Sequence, residues 1–189
     1  MPEIVKRVPF LKGKRINLRP MNMGDLDGPY MDWLNDYEIT RFLETGAFPT
    51  TRASLQSYLK SVARHPNNVM LAIIDRKTKK HVGNIKLGNI HPIHRNGDVG
   101  ILVGDRRFWG KGYGSEATDM VLDWGFSRLN LHKITLGVYA DHAPAVRAYK
   151  KLGFKIEGTL RDHLFRDGKF RHKTVMGILR SEWRLKRPT

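Results

Sequence analysis

The run Trp109-Gly110-Lys111-Gly112-Tyr113-Gly114-Ser115 carries the clearest chemical signal in this chain of 189 residues. Alternating glycines admit positive φ and let a ligand reach the backbone without meeting a Cβ. Successive N–H groups can then converge on phosphate oxygens, and a helix starting directly afterwards adds free N–H groups and its positive end. Arg106, Arg107 and Lys111 bring positive charge to the same segment. A tight turn would use the same glycines, so the run alone does not decide. Spacing argues against two nucleotide sites. Lys111 is followed by Gly112 and not by Ser or Thr, which breaks the G-x-x-x-x-G-K-[ST] loop. The run also lies past the middle of the chain, with the wrong spacing for the dinucleotide fingerprint.

Few other side chains invite proton chemistry. Glu116 falls in the first turn of the helix after the glycines, where the dipole favours an anion; it can also orient the loop or act at a reaction centre. Asp98 opens an apolar strand. With an ordinary pKa of about 3.9 it needs burial or hydrogen bonding to serve as a base, and otherwise holds an ammonium or orders a water. His91, His94 and His142 are of a residue type whose intrinsic pKa suits a base better, but surface or loop hydrogen bonding is the ordinary role of such histidines. Tyr149 fits equally as a core aromatic against Phe154. No histidine–acid group has metal-ligand spacing, His91 and His94 included. The chain has no cysteine, which removes disulfides and thiolate nucleophiles.

The elements that must position these residues follow from periodicity. Lys14–Arg19 alternates as a first strand, with Ile16 and Leu18 on one face and Pro20 at its end. A loop then enters a short helix carrying Tyr30, Trp33 and Leu34. Thr50 or Thr51 caps a second helix over Arg52–Arg64, its buried stripe being Leu55, Tyr58, Leu59 and Val62. Val69–Ile74 and His81–Leu87 read as paired strands across a polar turn at Asp75–Lys80. Gly88–Asn96 reads as a longer connection beside the active face, and Asp98–Val103 as the next strand. A helix over about Ser115–Leu129 packs through Ala117, Met120, Val121, Trp124, Phe126 and Leu129. A strand at Lys133–Tyr139, a helix at Ala143–Lys151, a final strand pair that begins at Phe154–Gly158, a hairpin turn at Arg166–Lys169 and a last strand at Thr174–Leu179 complete the chain. The expectation is one α/β domain over residues 1–189, core about 13–181, with a mixed sheet flanked by helices.

Composition narrows the setting. A hydrophobic content of 40% argues for a packed globule. No segment approaches a membrane span, and the N-terminal fifteen residues lack a signal-peptide core, so the expected setting is cytoplasmic with no membrane partner. The formal charge of +16 attracts polyanions, whether nucleic acid, ribosome or a phosphorylated ligand, without choosing among them.

The ordered combination of four segments resembles the GCN5-related N-acetyltransferase (GNAT) superfamily, in the branch of ribosomal-protein N-terminal-alanine acetyltransferases and related small-molecule enzymes. The pyrophosphate loop [RQ]-x-x-G-x-[GA] falls on Trp109–Gly114, with Trp109 at the first position. Asp141–Phe154 resembles N-x-x-S-x-x-x-Y-x-x-x-G-F, with His142 for the Asn and Ala145 for the Ser. The opening Gly13–Asp27 is similar to the family's first strand and helix entry. Gly158–Phe170 resembles its terminal hairpin, with His172 where the branch often has Asp.

The resemblance implies a splayed sheet and direct acetyl transfer from acetyl-CoA to an amine, with no metal and no covalent intermediate. It implies that coenzyme A lies between Asp98–Val103 and Lys133–Tyr139. The backbone of Ile101, Leu102 and Val103 would face the thioester, and Arg107, Trp109–Ser115, His142 and Ala145 would hold the rest of the cofactor. Tyr149 would donate a proton or hydrogen bond to the leaving sulfur. Asp98, then Glu116, would prepare the amine. Arg19, Trp33, His91, Arg161 and Arg171 would border the acceptor. Three readings follow. The first is a small-molecule amine acetyltransferase, with a nucleotide-linked amino sugar as one acceptor. The second is an N-terminal acetyltransferase for a protein such as a ribosomal protein. The third is a nucleic-acid-binding or scaffold protein that kept the fold. Homodimerisation accompanies the enzymatic readings.

Overall fold

The computed structural model describes residues 8–185; residues 1–7, on which part of the N-terminal reading rests, lie outside that range. Eight strands form one sheet: β1 (Leu11–Lys12), β2 (Ile16–Pro20), β3 (Val69–Asp75), β4 (His81–His91), β5 (Asn96–Val103), β6 (Lys133–Tyr139), β7 (Lys155–Arg166) and β8 (Lys169–Leu179). Their order is β1-β2-β3-β4-β5-β6-β8-β7. Every neighbouring pair is antiparallel except β5–β6. A parallel pair needs a crossover, and α4 (Tyr113–Ser127) supplies it.

Apolar residues cover both faces of the central strands. On one face Leu71, Ile73, Ile85, Ile134, Leu136 and Met176 pack with Ala117, Val121 and Phe126 of α4. On the other, Met70 meets Tyr30, Trp33 and Leu34 of α1 (Tyr30–Asn35) and Leu55, Leu59 and Val62 of α3 (Arg52–Arg64). This two-sided burial is why Val69–Ile74 is almost continuously apolar. Tyr58, read as part of the α3 stripe, is 40% exposed. Thr51 caps α3, accepting from Ser54 N–H while Ser54 Oγ accepts from Thr51 N–H.

Several expectations need correction. Gly88–Asn96 is no long loop: β4 runs on to His91 and only a tight turn precedes Asn96. The final hairpin is much longer than the apolar patterning indicated, because β7 is an edge strand with most of its side chains exposed. Two short helices were unread, α2 (Tyr37–Thr40) and the terminal α6 (Arg180–Leu185). Between β6 and β7 runs α5 (Ala143–Leu152). It starts with Pro144 in its first turn and ends at Gly153 in the left-handed region at φ 109°. Gly153 N–H bonds back to the Tyr149 and Lys150 carbonyls, the usual helix stop. Phe154 then turns into the core.

Arg19 is the clearest misreading. Its guanidinium makes a bidentate pair with Asp25, at 2.8 and 2.6 Å, and both residues are buried. It braces the 3-10 turn before α1 and is spent as an acceptor ligand. Burial alone would push the Asp25 carboxyl up, but the Arg19 guanidinium and the Asn22 N–H outweigh it and hold the pKa low. A carboxyl lowered in the folded state contributes stability above its unfolded pKa, and loses it as pH falls through the folded one. The urea midpoint of the wild type should therefore drop with pH below about 4, and Asp25→Asn should flatten that part of the profile.

Candidate active site

β5 and β6 stay paired only at Asn96–Lys133, Gly97–Ile134 and Asp98–Thr135. Beyond that point β5 continues for five residues and β6 for four, with no pairing between them. A wedge-shaped gap therefore opens in the middle of the sheet. Backbone groups of consecutive strand residues point to opposite neighbours, so one of Ile101 and Leu102 aims its N–H into the gap. The side chains of Ile101, Leu102 and Val103 are only half-buried.

The two faces of the gap differ. Val99 and Ile101 share a face with Leu136, Val138 and α4. A Cβ on Gly114 would sit 3.6 Å from both Ile101 and Val103. On the opposite face lie Asp98, Gly100, Thr135, Gly137 and Tyr139, by alternation.

The glycine run forms a loop leading into α4. Gly110 and Gly112 have φ of 68° and 78°. A Cβ at Gly110 would meet nothing within 4 Å. Gly112 is the N-cap, with no side-chain bond to the helix end. The first backbone bond of α4 runs from Glu116 N–H to Gly112 C=O, so the N–H groups of Tyr113, Gly114 and Ser115 precede the hydrogen-bonded ladder. Trp109 has its own reason to be there: its indole N–H donates to Val103 C=O at 2.6 Å, tying the loop to the end of β5. Tyr113 turns its hydroxyl away to Asp75, at 2.8 Å, leaving its backbone to the loop. Arg107 is paired with Asp105 at 2.6 Å, and the Lys111 side chain is exposed. Ala145 packs against the main core.

Of the places open to it, Glu116 takes that of a helix-start acid that orients the loop, not that of a reacting carboxylate. Oε1 accepts from Arg15 N–H at 2.8 Å and Oε2 from Arg15 Nε at 2.8 Å. The same guanidinium donates to the Lys111 and Gly112 carbonyls at 2.5 and 3.2 Å. Burial would raise the Glu116 pKa, yet these Arg15 bonds and the Ile16 N–H bring it below the usual value. A carboxylate held ionised and doubly bonded is a poor proton acceptor; it shapes the loop through Arg15. Glu116→Gln should raise the KM for the donor by roughly 3- to 10-fold with little change in kcat. Steady-state kinetics at varied donor concentration checks this.

Tyr149 lies on α5, edge-on to Phe154 at 5.8 Å between ring centroids. It packs against the core, and burial alone pushes its phenol up to about 12. Asp98 accepts from Asn89 Nδ2 at 2.7 Å on one oxygen. Asn89 reaches it because the bulge between Gly88 and His91 puts it at φ 48°.

The Tyr139 face of the gap is crossed by the segment after α1. At one end Asp36 receives Arg106 at 2.6 Å, beyond β5. At the other end Lys173 of β8 holds Glu44 at 2.5 Å, and the Tyr37 hydroxyl bonds Asp167. Between them Phe42 stacks on His142 at 3.9 Å and meets Tyr139 edge-on at 5.8 Å. His142 is thereby engaged by this segment, and its burial, together with Arg41, lowers its pKa. Trp33 is buried against Gly104, where a Cβ would fall 1.9 Å from its ring, and lines a cleft of about 550 Å³ with Asp36, His81 and Arg106. Arg171 stands on β8 beside Asp141, its Nε 3.9 Å from Oδ2.

Two expected acceptor residues lie elsewhere. His91 stacks on His94 at the β4–β5 turn, at the closed end of the gap. Arg161 is exposed on β7, which neighbours only β8. Arg15, Phe42, Glu44 and Lys173 went unread, because each is joined to the site by a contact over roughly a hundred residues of chain. Among the described residues no group of His, Asp or Glu is assembled to hold a metal ion, and no helix is long and apolar enough to cross a membrane.

Residues 15–155 match the acetyltransferase (GNAT) domain model, and the chain belongs to that family. It is an acetyl-CoA-dependent N-acetyltransferase acting on amines. It is 26% identical to the uncharacterized N-acetyltransferase p20 of Bacillus licheniformis over 172 residues, covering 90% of this chain and 96% of that one. It is 33% identical to the spermidine N(1)-acetyltransferase of Escherichia coli (strain K12) over 101 residues, about half of each chain (53% and 54%). The solved spermidine N-acetyltransferase of Vibrio cholerae, in complex with CoA and spermine, superposes with a TM-score of 0.82 at 27% identity, covering 89% of this chain and 98% of that one.

Proposed function

We propose that this chain acetylates the primary amine of a small alkyl molecule. The observation that carries the reading is the gap and the segment that crosses it. The open end of β5 faces the unpaired edge of β6, with an uncapped helix and a glycine loop on one side and the segment Asp36–Glu44, joined to Arg106 and Lys173, across the other. The loop suits a pyrophosphate: open space at Gly110, unladdered N–H groups at Tyr113–Ser115, and positive charge nearby. Acetyl-CoA supplies the activated acyl group; the chain does the rest. One N–H of Ile101 or Leu102 stabilises the negative charge that grows on the acyl oxygen. The free oxygen of Asp98 orients the acceptor nitrogen and takes its proton, directly or through a water. The phenol of Tyr149, neutral at any working pH, donates a hydrogen bond to the departing sulfur.

A segment laid across that side and tethered through Asp36–Arg106 and Phe42–His142 favours a small acceptor over a peptide. The spermidine enzymes among the relatives make short alkyl amines the first class to try. None of these relatives is named for an amino sugar, and that acceptor is not carried forward. The test is turnover with acetyl-CoA, read by thiol release and product mass, over spermidine, monoamines, amino acids and peptides with free N-termini. Acetylation of at least one small amine above the peptides is the expected result; exclusive peptide acetylation overturns the reading.

A further inference from the structure

Lys173 lies where a residue that reads the acceptor belongs. It sits opposite Tyr139 on β6, and its stem lies flat across Gly137, where a Cβ would fall 2.2 Å from Lys173 Cε. Gly137 is two residues past Thr135, the last β6 residue paired with β5, so about 7 Å into the gap. Ile101, three residues past Asp98, is about 10 Å in on the opposite wall. The ammonium thus stands over the stretch where the acyl group is proposed to lie, on the face from which the amine arrives. Its side chain is 21% exposed, while its partner Glu44 is 63% exposed. Arg171 stands two residues along the same face of β8; its buried Nε makes no hydrogen bond and lies 3.9 Å from Asp141 Oδ2.

We infer that Lys173, with Arg171 beside it, selects acceptors that carry an anionic group a few bonds from the amine. This rests on the small-amine reading. The cation is fixed by the room at Gly137, whereas Glu44 is an exposed carboxylate in a weakly held pair. Glu44 is the internal anion that a substrate carboxylate or phosphate displaces. The formal charge of +16 draws such an acceptor in and repels a polycation. A fixed ammonium beside the acceptor nitrogen also disfavours its protonated form, which supplies the neutral amine the reaction needs.

The test compares kcat/KM for four acceptors of matched length: an alkyl monoamine, an α,ω-diamine, an ω-amino carboxylate and an ω-aminoalkyl phosphate. The wild type should prefer the anionic acceptors to the diamine by roughly 10- to 100-fold; whichever anion leads identifies the group being read. Lys173→Met should collapse that ratio to a few-fold. Glu44→Gln, an exposed change that spares the fold, should lower the KM of the anionic acceptors, because it removes the competing carboxylate. A wild type that prefers the diamine overturns the inference, as does a Glu44→Gln enzyme that loses diamine turnover; the small-amine reading survives both. Acetylation of peptides alone overturns both together.

Discussion

A Tyr149→Phe enzyme should turn over about 10- to 100-fold more slowly while binding coenzyme A almost as well as the wild type. The magnitude is that of one hydrogen bond to a charged partner, roughly 1.5–3 kcal/mol. The form of the loss follows from the environment of the phenol. Burial pushes it up to about 12, whereas an alkyl thiol of the cysteine kind ionises near 8.5. Full proton transfer from this phenol to a newly formed thiolate runs uphill, so the role proposed for Tyr149 is that of a hydrogen-bond donor to the charge growing on sulfur. That bond is made in the transition state and barely in the bound thioester, so kcat falls and the affinity for the donor does not. The sign of the pH dependence follows as well. The donor must stay protonated, and it does so until pH rises through about 12; no alkaline fall in rate below that belongs to Tyr149. Single-turnover rates for both enzymes, with coenzyme A affinity measured by calorimetry, check both parts. Equal turnover removes Tyr149 from the mechanism and returns it to its packing role against Phe154.

Gly112→Val should weaken acetyl-CoA binding on the order of 100-fold, the equivalent of losing one or two charge-assisted hydrogen bonds. Gly112 is at φ 78°, a conformation that costs a β-branched residue roughly 1–2 kcal/mol. A Cβ there would also stand 3.1 Å from Arg15 Nη2, the guanidinium that holds the Lys111 and Gly112 carbonyls. The loop must rotate to relieve both, and the N–H groups at the start of α4 then lose their common aim. The effect should fall mainly on donor Kd and KM, with the thermal midpoint lowered by only about 2–8 °C, since the loop is exposed and the first buried residue of α4 is Ala117. A variant with wild-type donor affinity would show that the phosphates are held elsewhere.

Much of the molecule was legible in the chain. Local causes write local patterns: Thr51 caps α3, Pro144 and Gly153 bound α5, and alternation around Ile16 and Leu18 marks β2. The glycines of the loop could be read because positive φ and close ligand approach are properties of the residue itself. The turn of the β7–β8 hairpin at Arg166–Lys169 was legible, but its full length was not, because an exposed edge strand needs no apolar alternation. Arg19 was misjudged because sequence shows an arginine on a strand and cannot show Asp25 curling back to bury it. Glu116 was legible as a helix-start acid, while its true partner, Arg15, lies far away in the chain.

The amino-acid sequence by itself determined the order of the longer elements, the glycine loop and the family, since these rest on backbone preferences and on residues near one another in the chain. Only the tertiary structure decided where β5 and β6 part, that Asp36–Glu44 crosses the Tyr139 face of the gap, and that Lys173 lies over Gly137. The physical reason is that these features are made by strand pairing and ion pairs between segments far apart in sequence. No periodicity or spacing encodes which distant side chain will arrive.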